Sequence, residues 1–258
     1  MRGPTFLLAC LIAAAVIAPL IAPYPPDRLD LAHRREPPSG AHWFGTDDLG
    51  RDVFARVLFG ARVSLAVGLL SAAVAGASGI VIGGAAGYAG GTIDAVLMRA
   101  TDAILAVPRL PLLMIAASIL EPAVALLVVM IGMAGWMETA RVVRAEFLTL
   151  RARGFVESAR ALGASHARLI GVHFLPNAAQ AVIVSLTLAV ARGILLESAL
   201  SFFGVGVRPP QASWGNMLYQ AQTTLATEPW LAFAPGLFIL MTTLSVNLAG
   251  DRLASRRV

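Results

Sequence analysis

Residues 63–89 run for 27 positions without a single charged side chain. That is longer than the ~20 apolar residues a helix needs to cross the hydrocarbon core of a bilayer. Glycine and alanine are frequent in the run, and small residues let helix backbones approach closely. The segment is therefore expected inside a helix bundle rather than facing lipid on all sides.

Other apolar runs extend the same reading. Residues 5–22 carry no charge after Arg2, and Pro23 and Pro25 follow without a small-x-small cleavage site, so an uncleaved first helix is expected rather than a signal peptide. Read as one span, residues 104–137 would put Glu121 near the bilayer centre at a cost of ~3 kcal/mol. Two spans, 104–120 and 123–139, place Glu121-Pro122 in a tight turn and leave Arg109 and Glu138 near interfaces, where a long arginine can snorkel. A further span covers 177–204 and contains Arg192 and Glu197; the last, 230–250, precedes Asp251, Arg252, Arg256 and Arg257. The expected fold is all-α, a polytopic membrane protein of about six transmembrane helices. It divides into an N-terminal helix with its extracytoplasmic segment (1–62) and a transmembrane domain (63–258).

Composition agrees and removes several functions. Only 14% of residues are charged, against ~25% for a soluble domain. All 20 basic residues are arginine, which excludes a P-loop lysine on nucleotide phosphates and Schiff-base chemistry. If ATP is used, another chain must hydrolyse it. The basic balance, with a pI near 10.6, belongs to membrane topology rather than nucleic acid, because the arginines are scattered between apolar runs. Cys10 is alone, and His33, His42, His166 and His173 form no cluster, so neither a disulfide nor a metal site is expected. With six spans, the side bearing the termini holds twelve arginines and the other seven, which favours cytoplasmic termini by a thin margin.

The polar segments are informative. Residues 44–52 read as a turn feeding an amphipathic helix with Leu49, Val53, Val57, Leu58 and Ala61 on one stripe, expected to lie at the membrane surface. In residues 205–229, Pro209, Pro210 and Trp214, with Trp230 just beyond, read as a loop with interfacial aromatics. Residues 151–177 read as two short helices: Phe155, Ala159 and Leu162 keep helical spacing and Gly163 stops the first. Ser165 caps the second and Pro176 ends it. By physics alone this pair suits a docking partner and lipid headgroups equally.

Glu157-Ser158-Ala159, Gly163 and Leu175-Pro176 resemble the EAA loop of ABC importer permeases. Ser158 replaces the usual alanine, and His173 stands where isoleucine is general but looks like the peptide branch. Several other segments are similar to peptide and nickel importer permeases: 44–52, Ala86-Gly87-Tyr88 with Gly90-Gly91 and Asp94, and Met98-Arg99. So are 197–204, Pro209-Pro210 with Ser213-Trp214-Gly215, Pro235-Gly236 and 247–251.

The resemblance covers about residues 5–252 and implies a type I ABC importer permease fold in the cytoplasmic (inner) membrane. It implies a second homologous permease subunit, two cytosolic ATPase subunits docking on the loop, and an extracytoplasmic substrate-binding protein. This chain would bind no cofactor and have no catalytic residue, since ATP is consumed by the partners. Residues 138–177 would lie inside, and 23–62 and 205–229 outside.

Di- or oligopeptides are the expected substrate, with nickel or a metal chelate as the alternative. An intramembrane enzyme is the remaining reading, against which no HExxH, GxSxG or paired catalytic aspartates appear. Arg192 and Glu197 are candidates for the pathway or a partner contact, because ionisable groups in a membrane are costly. Glu197 serves equally as a hydrogen-bond partner across helices, and Arg192 as a salt bridge to the partner chain. Five residues apart, the two point ~140° apart around a helix and are not expected to pair. A fixed positive charge at Arg192 would favour a substrate carrying a carboxylate.

Overall fold

The computed structural model describes residues 3–121 and 123–255; Arg2, Pro122, Arg256 and Arg257 lie outside them. The described residues are dominated by helices. A short pair, α1 (Gly3–Val16) and α2 (Ala18–Ile21), precedes an irregular segment and the long α3 (Val53–Ala89). Next come α4 (Gly91–Leu105), α5 (Arg109–Leu120), α6 (Val124–Met133) and α7 (Trp136–Arg151). The rest comprises α8 (Gly154–Ala161), α9 (His166–Arg168), α10 (Leu175–Phe202), α11 (Trp214–Ala221) and α12 (Trp230–Ser255).

Three helical stretches are long and apolar enough to cross a membrane: Val53–Ala89, His166–Phe202 and Trp230–Ser255. Two pairs qualify together but are bent, α4 with α5 by 77° and α6 with α7 by 43°. With the shorter apolar helix at residues 5–16, these account for every apolar run read from the sequence. The partition between residues 90 and 151 differs from expectation. Glu121 does sit at a turn, with φ 46°, but the breaks fall at 106–108 and 134–135, inside both proposed spans. The polar 90–102 stretch is helical, and its acids are paired with α7: Arg144 holds Asp94 in a two-pronged ion pair, and Arg141 meets Asp102 at 2.5 Å.

Residues 53–61 are not a separate surface helix. Asp52 caps α3 by accepting from the Ala55 amide at 2.7 Å, and the helix then continues unbroken into the apolar run. Val53, Val57 and Ala61 are buried against Ile194, Trp214 and Leu231. The stripe is therefore a core face. The turn before it is held by Asp47, which accepts from the Leu49 and Arg51 amides, both at 2.9 Å, and from Arg51 Nε at 2.6 Å.

Trp214 is no interfacial aromatic either. It is fully buried, and its Nε1 donates to the Val57 carbonyl at 3.0 Å. The 205–229 segment folds back into the bundle as α11, started by a capping box between Ser213 and Asn216.

Helix α3 is the centre of the bundle, packing chiefly on α7 and α10, with α10 in turn on α12. Gly79, Gly83 and Gly87 form one stripe against the backbone of Trp136, Ala140 and Arg144, where a methyl group would overlap the α7 carbonyls. Association in lipid depends on this kind of close van der Waals approach, since lipid tails are as apolar as the side chains. Leu69, Val81, Ile119, Phe233 and Leu240 stay exposed on the outside, as lipid-facing positions do.

Candidate functional site

The hairpin at residues 154–177 is built on a fixed base. Helix α8 ends in a Schellman motif: the Gly163 amide donates to the Arg160 carbonyl at 2.9 Å and the Ala164 amide to the Ala159 carbonyl at 3.0 Å. Gly163 has φ +80°, a conformation that side chains with a Cβ rarely adopt. Ser165 Oγ accepts from the Arg168 amide at 3.4 Å and opens α9, as its position suggested.

Pro176 does not end the second helix. It occupies the first turn of α10, and Leu169–Phe174 ahead of it form a π-helical segment. In that segment the Leu175 amide reaches five residues back to Ile170. Widening the turn lets the chain pass the proline, which has no amide proton and crowds the carbonyl four residues earlier. His166–Phe202 is thus one continuous stretch joining the hairpin to a membrane span.

Val156, Leu169 and Phe174 are buried with Val143, Phe147 and Leu150 of α7, which anchors the hairpin. Tyr88, in the last turn of α3, hydrogen-bonds His166 and stacks edge-on against Phe174 at 5.3 Å. These anchors were not singled out by sequence reasoning, although Tyr88 lies in a quoted motif and Val156 and Phe174 are apolar residues in a polar segment. Glu157, Ser158, Gly163, Leu175 and Pro176 are exposed and Ala159 is half-buried, while Leu162 projects with 88% of its surface free. The hairpin therefore presents a small, rigid surface with an acid and a large apolar side chain outward.

Arg192 and Glu197 go to different places. Glu197 is fully buried; Ser64 and Ser201 hydroxyls each donate to it at 2.8 Å. It acts as a hydrogen-bond partner between helices and has no surface to offer to a pathway or another chain. Arg192 points elsewhere, as the helical geometry required, and lies 3.5 Å from Glu138 Oε1 with 39% of its side chain exposed. Arg109 donates to the same oxygen at 2.5 Å. Arg109 and Glu138 thus pair with each other, each lying in the first turn of the helix after a bend. A carboxylate in the first turn of α7 is further favoured by the helix dipole.

Among the described residues no group of His, Cys, Asp and Glu could hold a metal ion.

The sequence model of the family described as the binding-protein-dependent transport system inner membrane component matches residues 79–258. The chain belongs to this family of transport permeases. A second model, for the N-terminal transmembrane domain of oligopeptide transport permease C, matches residues 5–38 of the permease. The dipeptide transport system permease protein of Bacillus subtilis is 39% identical over 249 residues, 96% of this permease and 78% of that protein. The oligopeptide transport system permease protein of the same organism is 36% identical over 247 residues, 96% of this permease and 81% of the relative. A Brucella suis protein with a provisional peptide-permease name is 42% identical over 249 residues, covering 96% and 82% of the two chains. Membership of this family, together with the membrane-length helices, makes the permease a multi-pass inner-membrane protein.

Proposed function

We propose that this permease is one of two related subunits lining the translocation pathway of an ATP-driven importer of di- or oligopeptides. The peptide substrate is supported by the names of the relatives, each tied to peptides. A nickel or metal-chelate substrate is not favoured.

Coupling to cytosolic ATPases is carried by the 154–177 hairpin. The observation that supports it is the combination of a buried base, Val156 with Phe174, and an outward face with Glu157 and Leu162. A hairpin held this firmly transmits a push from a docked partner into α10 instead of absorbing it. Glu157, Ser158, Ala159, Gly163, Leu175 and Pro176 form the coupling segment in this reading. The chain has no lysine to serve a P-loop, so hydrolysis belongs to the partners. Residues 138–177 and both termini face the cytoplasm; 23–62 and 205–229 face the binding protein outside.

Arg192 borders the pathway. Its ion pair with Glu138 lies within the chain, so no acid from a second subunit is needed to hold it.

The test is reconstitution of the chain with its partner permease, ATPases and binding protein in vesicles. ATP-dependent accumulation of a labelled dipeptide is expected, and it should stop when Leu162→Asp disrupts the outward face of the hairpin. Full coupled uptake in that variant would remove the docking role, and no uptake by the intact complex would remove the peptide assignment.

A further inference from the structure

Glu138 is shared by two arginines and can neutralise one. Arg109 Nη2 is 2.5 Å and Arg192 Nη1 3.5 Å from the same Oε1. The other oxygen, Oε2, is buried and has no hydrogen-bond partner among the described residues. Neighbouring acids are engaged elsewhere: Asp102 by Arg141 at 2.5 Å, and Glu197 by Ser64 and Ser201 at 2.8 Å. The three groups therefore carry a net charge of +1.

Arg109 and Arg192 both line an open cavity of about 770 Å³, whose remaining walls include Leu105, Met133, Met137 and Leu195; among the described residues no acidic residue lines it. A few charged groups among apolar walls, at this volume, are the ordinary composition of a small-molecule site. An uncompensated guanidinium against lipid would cost ~3 kcal/mol, which favours water or an anion over lipid in the cavity. Low-dielectric walls focus the field of the spare charge on whatever enters. The planar donor fork of arginine matches a carboxylate in geometry as well as sign.

We infer that Arg109 and Arg192 form a carboxylate-recognition position, with Glu138 as its resident occupant when no substrate is present. The incoming group is the carboxylate of a peptide, and this assignment rests on the peptide-importer reading. The carboxylate takes Arg192, whose contact with Glu138 is the longer, while Arg109 keeps Glu138. An internal competitor keeps the site weak, which suits a passage position that must release what it binds.

Uptake of alanyl-alanine and of its C-terminal amide by the reconstituted complex tests this. The binding protein can discriminate between the two on its own, so the informative quantity is the change in the acid-to-amide ratio between variants. In Arg192→Gln the ratio should fall about tenfold, the scale of one charge-assisted hydrogen bond. Subunit co-purification should persist. In Glu138→Gln, which removes the competitor, the ratio should stay or rise.

An unchanged ratio in Arg192→Gln, with peptide uptake intact, overturns the carboxylate site and leaves the importer reading standing. If the complex transports neither compound, the importer reading falls. The site is then judged by acetate titration of the purified complex carrying nitrogen-labelled arginine. A guanidinium shift abolished in Arg192→Gln supports it, and no such shift overturns it.

Discussion

The Ser64 hydroxyl donates to Glu197 Oε2 at 2.8 Å, joining α3 to α10 inside the bundle. The same hydroxyl accepts from the Trp214 amide at 3.2 Å, and Ser201, on the other carboxyl oxygen, accepts from the Val207 amide at 3.0 Å. One carboxyl group thus organises two helices and the folded-back segment. Glu197→Ala leaves two buried hydroxyls without an acceptor, at about 1–3 kcal/mol each. The purified chain should melt lower in detergent, with Glu197→Gln intermediate because its amide oxygen still accepts. An alanine variant that melts like the parent would remove this role.

At Gly163 the backbone, not the space, is restrictive: φ is +80° and nothing lies within 4 Å of where a methyl group would sit. Gly163→Val should cost ~1 kcal/mol or more through the left-handed strain and turn α9 away from α8. Membrane insertion should survive while stimulated ATP hydrolysis in the complex falls. Normal stimulation would count against the hairpin as the coupling element.

Gly83 presents the opposite case, a helical glycine with no room. A methyl there meets the Ala140 carbonyl, so Gly83→Ala should destabilise the α3–α7 contact by about 1–3 kcal/mol. Gly171→Ala, where nothing lies within 4 Å, is the control. Equal resistance of the two variants to denaturant would show that the glycine stripe does not set the packing.

Orientation is open to direct labelling. Single cysteines at Ser39 and Ser165, in a Cys10→Ala background, should react with an impermeant thiol reagent from opposite faces of the membrane. Ser165 should label only from the cytoplasmic side. Reaction of both from one side would overturn the proposed topology.

The membrane class, the apolar runs, the Gly163 stop and the Ser165 cap were legible in the sequence, because each is a local signal. What failed depended on distant partners. Trp214 reads as an interfacial residue until Val57, 157 positions away, is seen to accept its indole proton. Val53 and Val57 make an amphipathic stripe that suits a bilayer surface as well as a core; Ile194 and Leu231 decide the matter. Pro176 is a stop signal by itself and becomes tolerable only through the wider turn ahead of it. Arg109 and Glu138 read as separate interfacial charges and Arg192 as a lone intramembrane one, since nothing local brings three helices to one point.

Helix α3 has 37 residues, or ~55 Å of rod at 1.5 Å per residue, against ~30 Å of hydrocarbon. Its first turn is gripped by the Asp47–Arg51 turn and Asp52, and its last by Tyr88 against the hairpin. On a stiff rod of that length, a tilt of about 10° at the hairpin end corresponds to about 10 Å at the opposite end. With both ends pinned and the glycine stripe packed on α7, the rod ties the placement of the hairpin to that of the Asp47–Arg51 turn at its far end.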